Sequence, residues 1–249
     1  MKKWMKLVVD IGNTRTKLAF YEKNTLVEKA ILQTATLSWL NERLQDGRFV
    51  EAAILSATGL DTEGVEVFLK KHLPYLKLEP NTSLPIQNKY ATPDTLGKDR
   101  LAAVVAAHFL FPKKNCLVID SGTCLTFNCL DKNSDFLGGN ISPGLTMRLK
   151  AMNYFTAKLP LIERNTEGET FIGNTTETAM RAGAQIGLLS EVEGFVKRLE
   201  KKMGKFKVIL TGGDGQYLYE NLDLKEKYFE PNLVLLGLNQ ILNYHFQLK

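Results

Sequence analysis

The chain contains two copies of a short phrase whose residue types suit phosphate and cation chemistry. The first copy is Val9-Asp10-Ile11-Gly12-Asn13-Thr14, and the second is Ile119-Asp120-Ser121-Gly122-Thr123. In each copy an apolar run ends in an aspartate, and a glycine follows after one residue. Because glycine lacks a Cβ, Gly12 and Gly122 permit positive φ in these turns and leave room for a phosphate against the backbone amides.

Polar residues beside the first glycine supply the donors and positive charge that a phosphate tail needs: Asn13, Thr14, Arg15 and Lys17. Side chains alternate along a strand, so Arg15 and Lys17 are expected on one face. An aspartate repels phosphate, so we expect the aspartate of each phrase to hold a cation or an ordered water that bridges to the nucleotide. An ordinary Asp-Gly hairpin stays the alternative for one copy, whereas two copies in matched strand contexts favour nucleotide binding.

Length and composition predict a soluble globular protein. The chain has 249 residues, 44% of them hydrophobic, and its mean hydropathy is −0.14. This is enough to bury a core in one or two domains. The charged start is followed by only a short apolar run before Asp10, so no signal peptide is predicted. No apolar stretch approaches the roughly 18 residues of a membrane span, and we expect a cytoplasmic protein without a membrane partner.

Cysteine, histidine and charge patterns argue against other kinds of site. Cys116, Cys124 and Cys129 are odd in number and lack CxxC spacing, so neither a disulfide framework nor a zinc site is predicted. The histidines are isolated, and His108 is expected to be a helix-end or packing residue. The net charge of +5 is mild and scattered, which favours a solvated surface over a nucleic-acid interface.

Hydrophobic periodicity predicts an order of elements that occurs twice. The first half is predicted as strands 6–11, 15–21 and 25–31, helix 37–45, strand 51–56, helix 62–71 and a short strand near 76. After a proline-containing loop, Pro80 to Pro93, the second half follows as helix 98–110, strands 115–120, 124–130 and 136–141, helices 143–152 and 174–202, strand 207–211, and helices 214–221 and 233–246. The repeated order indicates two mixed-sheet α/β halves with a cleft between them and a boundary between residues 80 and 115.

The doubled phrase in its three-strand contexts resembles the actin, Hsp70 and sugar kinase superfamily. Further segments, in order, resemble type III pantothenate kinase over essentially the whole chain: Tyr90 with Leu96-Gly97-Lys98-Asp99-Arg100, Asp120-Ser121-Gly122-Thr123 with Thr126, Gly138-Gly139-Asn140-Ile141-Ser142-Pro143-Gly144, and Asn174-Thr175-Thr176 before Ala179 to Gly183. The resemblance implies two similar ribonuclease H-like (actin-like ATPase) domains, 1–97 and 98–249, whose mixed sheets flank an interdomain ATP cleft. It also implies phosphorylation of pantothenate by ATP, the first step of coenzyme A biosynthesis.

The resemblance assigns roles to individual positions of this sequence. The implied ATP contacts are Asp10, Ile11, Gly12, Asn13, Thr14, Arg15, Thr16, Lys17 and Thr123. The implied pantothenate contacts are Tyr90, Gly97, Lys98, Asp99, Arg100 and Thr176. Asp10 is implied to position Mg²⁺ through water, and Asp120 to hold a monovalent cation, potassium or ammonium. Thr211 to Asp214, a strand running into a glycine turn, is the candidate for the nucleoside end.

Asp99 is the residue we expect to act as general base. A primary alcohol with a pKa far above 7 gains from a carboxylate that accepts its proton as the phosphoryl group moves. Arg100 beside it could bind the substrate carboxylate or the transferred phosphoryl group with its planar fork. The alternative is that Asp99 only caps the start of a helix. Lys98 departs from the usual small or apolar residue there and could lower the pKa of Asp99, attract ATP or point to solvent.

Oligomeric state and the exact reaction leave alternatives open. The resemblance implies a homodimer with the pantothenate site near the subunit interface. The apolar stripe of the helix from Thr176 to Leu199 could be the dimer surface or a core face. Thr176 could also be the N-cap of that helix. Two other functions share the ATP-binding half: a kinase acting on another small alcohol or a sugar, and a non-enzymatic ATP-binding regulatory protein.

Overall fold

The computed structural model describes residues 4–12, 15–33, 36–57, 63–164 and 171–248. Contacts divide the chain into two compact units. Unit 1 comprises Met1–Pro112, Ser134–Phe136 and Asn232–Lys249, and unit 2 comprises Lys113–Asn133 and Leu137–Pro231. We keep the predicted division between residues 97 and 98 as a proposal about the two sequence repeats, because compact units follow contacts and not chain order.

Unit 1 is built on a five-stranded mixed sheet with the order β3-β2-β1-β4-β5. The first three strands pair antiparallel, whereas β4 and β5 run parallel to β1. The strands are β1 (Trp4–Ile11), β2 (Thr16–Glu22), β3 (Thr25–Leu32), β4 (Phe49–Ala57) and β5 (Tyr75–Lys77). A further short strand, β6 (Gln87–Asn88), pairs with Asp135 and Phe136.

Alternate residues of β1 face two different helical layers. Leu7, Val9 and Ile11 pack with Leu40 of α1 (Thr36–Gln45) and with Leu69 of α2 (Glu63–His72). The other face, which carries Lys6, Val8 and Asp10, is buried as well. The fully buried Lys6 donates to Asn243 Oδ1 of α7 (Leu233–Phe246), which places α7 on that face.

Helix α7 packs against α3 (Lys98–Leu110), although the two are far apart in sequence. A Cβ added to Gly237 of α7 would lie 1.8 Å from the Ala102 carbonyl oxygen, so glycine permits this close approach. Residues 100–107 of α3 are all buried. His108 follows them, its Nδ1 lies 3.1 Å from Ser134 Oγ, and burial lowers its pKa, which confirms a packing role.

Unit 2 repeats the strand order of unit 1. Its strands follow the order β11-β10-β7-β8-β9, with β7 antiparallel to β8 and parallel to β10. They are β7 (Cys116–Ser121), β8 (Cys124–Leu130), β9 (Asp135–Pro143), whose first two residues belong to unit 1, β10 (Lys207–Thr211) and β11 (Lys227–Phe229). The helices are α4 (Leu145–Tyr154), α5 (Thr176–Met203) and α6 (Gly215–Asn221).

The apolar stripe of α5 lies in the core of unit 2. Met180, Ala184, Leu188 and Val192 are at most 5% exposed and pack with β7, β8 and α4 residues such as Leu117. The core alternative is therefore the correct one for this stripe, and the prediction that it forms a dimer surface is wrong.

Every predicted helix and strand is present in the structure, with ends shifted by a few residues. The sequence prediction missed β6, β11 and a short 3-10 helix, Pro93–Thr95, each of which has only two or three residues. Elements this short lack a full hydrophobic period, so their pattern carries little information. The fold class, α/β with two mixed sheets, is confirmed. Among the described residues, no helix has the length and apolar character that a membrane span requires.

Candidate active site

Asp10 is the next-to-last residue of β1 and lies between two polar residues on the adjacent strands. It faces Lys17 of β2 and lies beside Ser56 of β4 in the strand register. Asp10 is only 8% exposed, and Ser56 is completely buried. Burial raises the pKa of Asp10 to about 6, the Lys17 charge and the nearby Ser56 hydroxyl oppose this rise, and the Asp99 charge adds to it. The interaction with Asp99 brings the predicted metal-positioning acid and the predicted base together within unit 1.

The chemistry around Asp10 suits a hard divalent cation. A carboxylate whose burial disfavours its own charge gains from a cation, and Mg²⁺ is held by one or two carboxylates together with water and phosphate. Among the described residues there is no cluster of three or more His, Cys, Asp or Glu side chains placed to hold a metal. Asp10 would hold Mg²⁺ as one carboxylate, together with water and phosphate oxygens.

The other predicted phosphate contacts differ in how accessible they are. Ile11 and Thr16 are 8% and 7% exposed, so their side chains belong to the core and only their backbone could meet a phosphate. Lys17 is half-buried, and Arg15 is exposed just before β2 begins. Asn13 and Thr14 lie outside the described residues.

Neither Gly12 nor Gly122 uses the positive φ that glycine permits. Among the described glycines, positive φ occurs at Gly47, Gly138, Gly204 and Gly212. The Gly12 amide donates to the Arg15 carbonyl at 3.1 Å, and a Cβ on Gly12 would lie 3.3 Å from that oxygen. Glycine suits position 12 because the backbone contact there is close, and not because the residue adopts a left-handed conformation.

Asp99 lies in the first turn of α3 with its carboxylate at the surface. Its Oδ1 accepts a hydrogen bond from the Arg100 amide at 2.8 Å. The alternative role, binding an amide at the start of the helix, therefore applies to this one carboxylate oxygen. A Cβ on Gly97 would lie 2.5 Å from the same oxygen, which explains the glycine two residues earlier. Asp99 as a whole is exposed, and its second oxygen can accept a proton from a substrate.

Arg100 and Tyr90 form one cluster in unit 1. Arg100 is 6% exposed, and its guanidinium carbon lies 5.5 Å from the centre of the Tyr90 ring. Tyr90 stacks on Phe136, with ring centres 6.2 Å apart. A buried arginine held over an aromatic face is pre-organised for a carboxylate or phosphate oxygen. The structure thus brings together the predicted substrate contacts Tyr90, Gly97, Asp99 and Arg100.

The Lys98 side chain pairs with the carboxylate of Glu79 and not with that of Asp99. Its Nζ lies 3.7 Å from Glu79 Oε2, and Glu79 also lies 3.7 Å from Lys77 Nζ. Lys77 in turn contacts Glu66 at 2.7 Å. Lys98 therefore forms a surface ion pair that continues along β5 and α2, an arrangement that the three predicted alternatives did not include.

Asp120 is the counterpart of Asp10 in unit 2. It faces Thr126 of β8 and lies beside Thr211 of β10. Asn128 is fully buried and donates through Nδ2 to Thr126 Oγ1 at 3.1 Å. A half-buried carboxylate next to two threonine hydroxyls is an oxygen-only ligand set, which suits a hard cation such as potassium better than a transition metal.

Two glycine segments pack directly against the second hairpin. A Cβ on Gly144 would lie 2.2 Å from the Gly122 carbonyl oxygen, and a Cβ on Gly212 would lie 2.3 Å from Asp120 Oδ1. Gly212 also has a φ of +90°. The Ser121 carbonyl accepts from the Asp214 amide at 2.9 Å. These contacts explain why the Gly-Gly…Pro-Gly and Gly-Gly-Asp segments accompany the second phrase.

Asp214 follows the Gly212 turn as a buried acid. It is 2% exposed and pairs with Arg164. Burial raises the pKa of Asp214, and the Arg164 charge opposes that rise. Thr211, which sequence analysis placed at the nucleoside end, lies beside Asp120.

Thr176 and Thr123 are exposed residues of unit 2. Thr176 is the first residue of α5, so its prediction as N-cap is wrong: the N-cap is Thr175, whose side chain accepts from the Thr178 amide in a capping box. The side chain of Thr176 is therefore not committed to capping. The Thr123 carbonyl accepts from the Gly144 amide at 3.2 Å, which leaves its hydroxyl outside this contact.

Sequence reasoning missed Ser56. A lone hydroxyl at the end of the apolar run Ala52 to Leu55 was the available signal, but only the register of β1 and β4 places it beside Asp10. The Ser56 hydroxyl is completely buried there and opposes the rise in the pKa of Asp10.

Comparisons with known proteins agree with this geometry. The family model of type III pantothenate kinase matches residues 6–198. A type III pantothenate kinase of Bacteroides fragilis is 42% identical over 243 residues, covering 97% of this chain and 98% of its own. One from Christiangramia forsetii is 41% identical over 245 residues, covering 97% and 99%.

Solved structures with low sequence identity share the fold. A Campylobacter jejuni protein provisionally described as a Baf family transcriptional activator has a TM-score of 0.62 and 22% identity, covering 97% of this chain and 99% of its own. The apo psk41 ParM protein has a TM-score of 0.54 and 10% identity, covering 96% and 97%. These likenesses show that the chain shares the fold of these two proteins. With near-complete coverage at about 40% identity, the chain belongs to the type III pantothenate kinase family.

Proposed function

We propose that this protein transfers the γ-phosphoryl group of ATP to the primary hydroxyl of pantothenate. The observation that carries the proposal is the unit 1 cluster of Asp99, Arg100 and Tyr90 beside Asp10. One compact unit therefore contains an exposed carboxylate, a buried guanidinium and a buried aspartate whose charge a bound cation would stabilise. The family match over most of the chain supplies the substrate.

Asp99 acts as the general base through the oxygen that does not cap α3. It accepts the hydroxyl proton as the oxygen–phosphorus bond forms and the bond to the ADP oxygen breaks. Arg100 holds the substrate carboxylate or the transferred phosphoryl group, and its packing against Tyr90 limits the conformational freedom lost on binding. Lys17 binds phosphate oxygens, and Thr123 contacts ATP.

Two cations belong to the proposal. Mg²⁺ is positioned through water by Asp10, where it neutralises charge on the phosphates, and a monovalent cation, potassium or ammonium, is held by Asp120. The buried carboxylate with its raised pKa supports the first assignment, and the oxygen-only surroundings of Asp120 support the second. The cytoplasmic location stays a prediction.

ADP release from MgATP and potassium, with and without pantothenate, tests the function. We expect turnover to require pantothenate and to fall by roughly 10²- to 10⁴-fold in Asp99→Asn, because a missing general base costs that much. Asp94→Asn, which changes an exposed acid shortly before α3, is the matched control and should keep normal turnover. Turnover with hexoses but not pantothenate would favour another small-alcohol kinase, and ATP binding without turnover would favour a regulatory protein.

We also propose a homodimer, which exposed apolar side chains of unit 2 support. Tyr154, Phe155, Phe171 and Ile172 are 81%, 80%, 76% and 80% exposed. Large apolar side chains so exposed are typical of interaction surfaces. Sedimentation at micromolar concentration should show a dimer that the double change Tyr154→Ser and Phe155→Ser weakens. A monomeric wild type would contradict the proposal.

A further inference from the structure

Arg148 joins three segments of unit 2 next to the second hairpin. Its Nε donates to the Pro143 carbonyl at 2.9 Å, and its Nη2 contacts Glu191 of α5. Its own amide donates to the Gly144 carbonyl at 3.0 Å, which starts the hydrogen-bond ladder of α4. The side chain is 20% exposed. One residue therefore connects the end of β9, the start of α4 and the middle of α5.

The Arg148 side chain donates to the Pro143 carbonyl at the junction between β9 and α4. Pro143 precedes the N-cap Gly144, so its carbonyl lies outside the hydrogen-bond ladder of α4. Arginine reaches this carbonyl and Glu191 at once from two different nitrogens, because its donors form a fixed planar fork. The three donors of a lysine all lie on one nitrogen, so lysine cannot reproduce this geometry.

The junction that Arg148 holds is in direct contact with the Gly122-Thr123 turn. The Gly144 amide donates to the Thr123 carbonyl at 3.2 Å. A Cβ on Gly144 would lie 2.2 Å from the Gly122 carbonyl and 2.8 Å from the Thr123 carbonyl. Backbones this close move together, so a shift of the Pro143–Gly144 junction displaces the turn.

We propose that Arg148 is a positioning residue for nucleotide binding, acting through the Pro143–Gly144 junction on the turn that carries Thr123. Arg148 touches the junction and not the nucleotide. This inference rests on the proposed function, in which Thr123 contacts ATP.

The test measures nucleotide affinity directly, by calorimetry with MgATP in the absence of pantothenate, and follows it with steady-state kinetics. In Arg148→Met we expect the dissociation constant and the KM for ATP to rise by about tenfold, since coupling between a binding site and a separate residue commonly changes affinity by roughly 5- to 150-fold. The KM for pantothenate should change by less than about twofold. Arg198→Met removes an exposed arginine of α5 and is the matched control, expected to bind MgATP as the wild type does.

The outcomes separate the inference from the function it rests on. Failure of the wild type to bind MgATP would contradict the proposed function itself. A lower melting temperature with wild-type affinity in Arg148→Met would show a purely structural role and overturn the inference. If Arg148→Met does not fold, Arg148→Lys decides: it keeps the charge beside Glu191 but loses the planar fork, so affinity should fall several-fold. Wild-type affinity in that variant would overturn the inference.

Discussion

The two Asp-x-Gly hairpins occupy the same place in two sheets of the same strand order, but different residues face their aspartates. Asp10 has Lys17 across the antiparallel pair and Ser56 on the parallel neighbour. Asp120 has Thr126 and Thr211 at the corresponding positions. Both sheets have a hydroxyl side chain beside the aspartate on the parallel neighbouring strand. Across the hairpin, the lysine of the first sheet is replaced by a threonine in the second.

This difference indicates how one hairpin can serve two tasks. A lysine beside a buried aspartate supplies a positive charge for phosphate and keeps the pKa of Asp10 from rising further. A threonine in its place leaves oxygen ligands around Asp120 with no fixed positive charge beside them, which favours a bound cation. The second hairpin is also supported from outside by Gly144 and Gly212, while Gly12 contacts its own turn.

The largest expected effect tests that outside support. Gly144→Ala should destabilise the protein by about 3 kcal/mol, because the new Cβ would lie 2.2 Å from the Gly122 carbonyl oxygen and neither backbone can yield cheaply. Gly12→Ala should cost less, since its Cβ would lie 3.3 Å from the Arg15 carbonyl. Urea unfolding measures both, with Gly183→Ala at an open helical position as control. Equal costs at positions 12 and 144 would remove the proposed difference between the hairpins.

The next effect tests the charge across the hairpin. Lys17→Met should raise the KM for ATP roughly 30-fold, because a charge-assisted hydrogen bond to phosphate contributes about 2 kcal/mol. Thr126→Val, at the equivalent position of the second hairpin, should change the KM for ATP by less than about threefold and instead weaken activation by potassium. Similar ATP effects in the two variants would mean that both hairpins bind phosphate.

The smallest effect concerns the buried charge of Asp10. Its pKa is raised from 3.8 to about 6, so folding favours the protonated form. The stability that Asp10 contributes is complete below pH 3.8 and is lost as the pH rises to about 6. Without metal and nucleotide, Asp10→Asn should therefore be more stable than the wild type at pH 7 by about 1 to 2 kcal/mol, with the difference growing between pH 4 and 6.

Urea unfolding across this pH range measures the Asp10 effect. Asp120→Asn is the control, since Asp120 is only half-buried and should show a smaller gain. Asp10→Asn should also lose magnesium-dependent ATP binding. Lower stability of Asp10→Asn at pH 7 would contradict the desolvation argument.

The sequence alone was sufficient for the elements and for much of the chemistry. Strand and helix periods are local, so β1, β2, α3 and α5 were predicted within a few residues of their ends. The resemblance of Gly97, Asp99 and Arg100 to a known family likewise identified residues that the structure brings together with Tyr90. Local hydrogen bonds and turn chemistry connect neighbours in the chain, and these are what a sequence pattern records.

Only the tertiary structure decided which faces meet. Helix α7 returns from the end of the chain to cover β1 and pack on α3, the stripe of α5 enters a core, and Arg148 contacts both Pro143 and Glu191. Ser56 comes to lie beside Asp10 through strand register alone. An apolar stripe or a lone hydroxyl in the sequence predicts that a side chain will be buried or hydrogen-bonded. Which residue it contacts depends on packing between segments that are far apart in sequence. The repeated Asp-x-Gly phrase was therefore visible in the sequence, whereas the neighbours that set its two copies apart were fixed by the folded sheets.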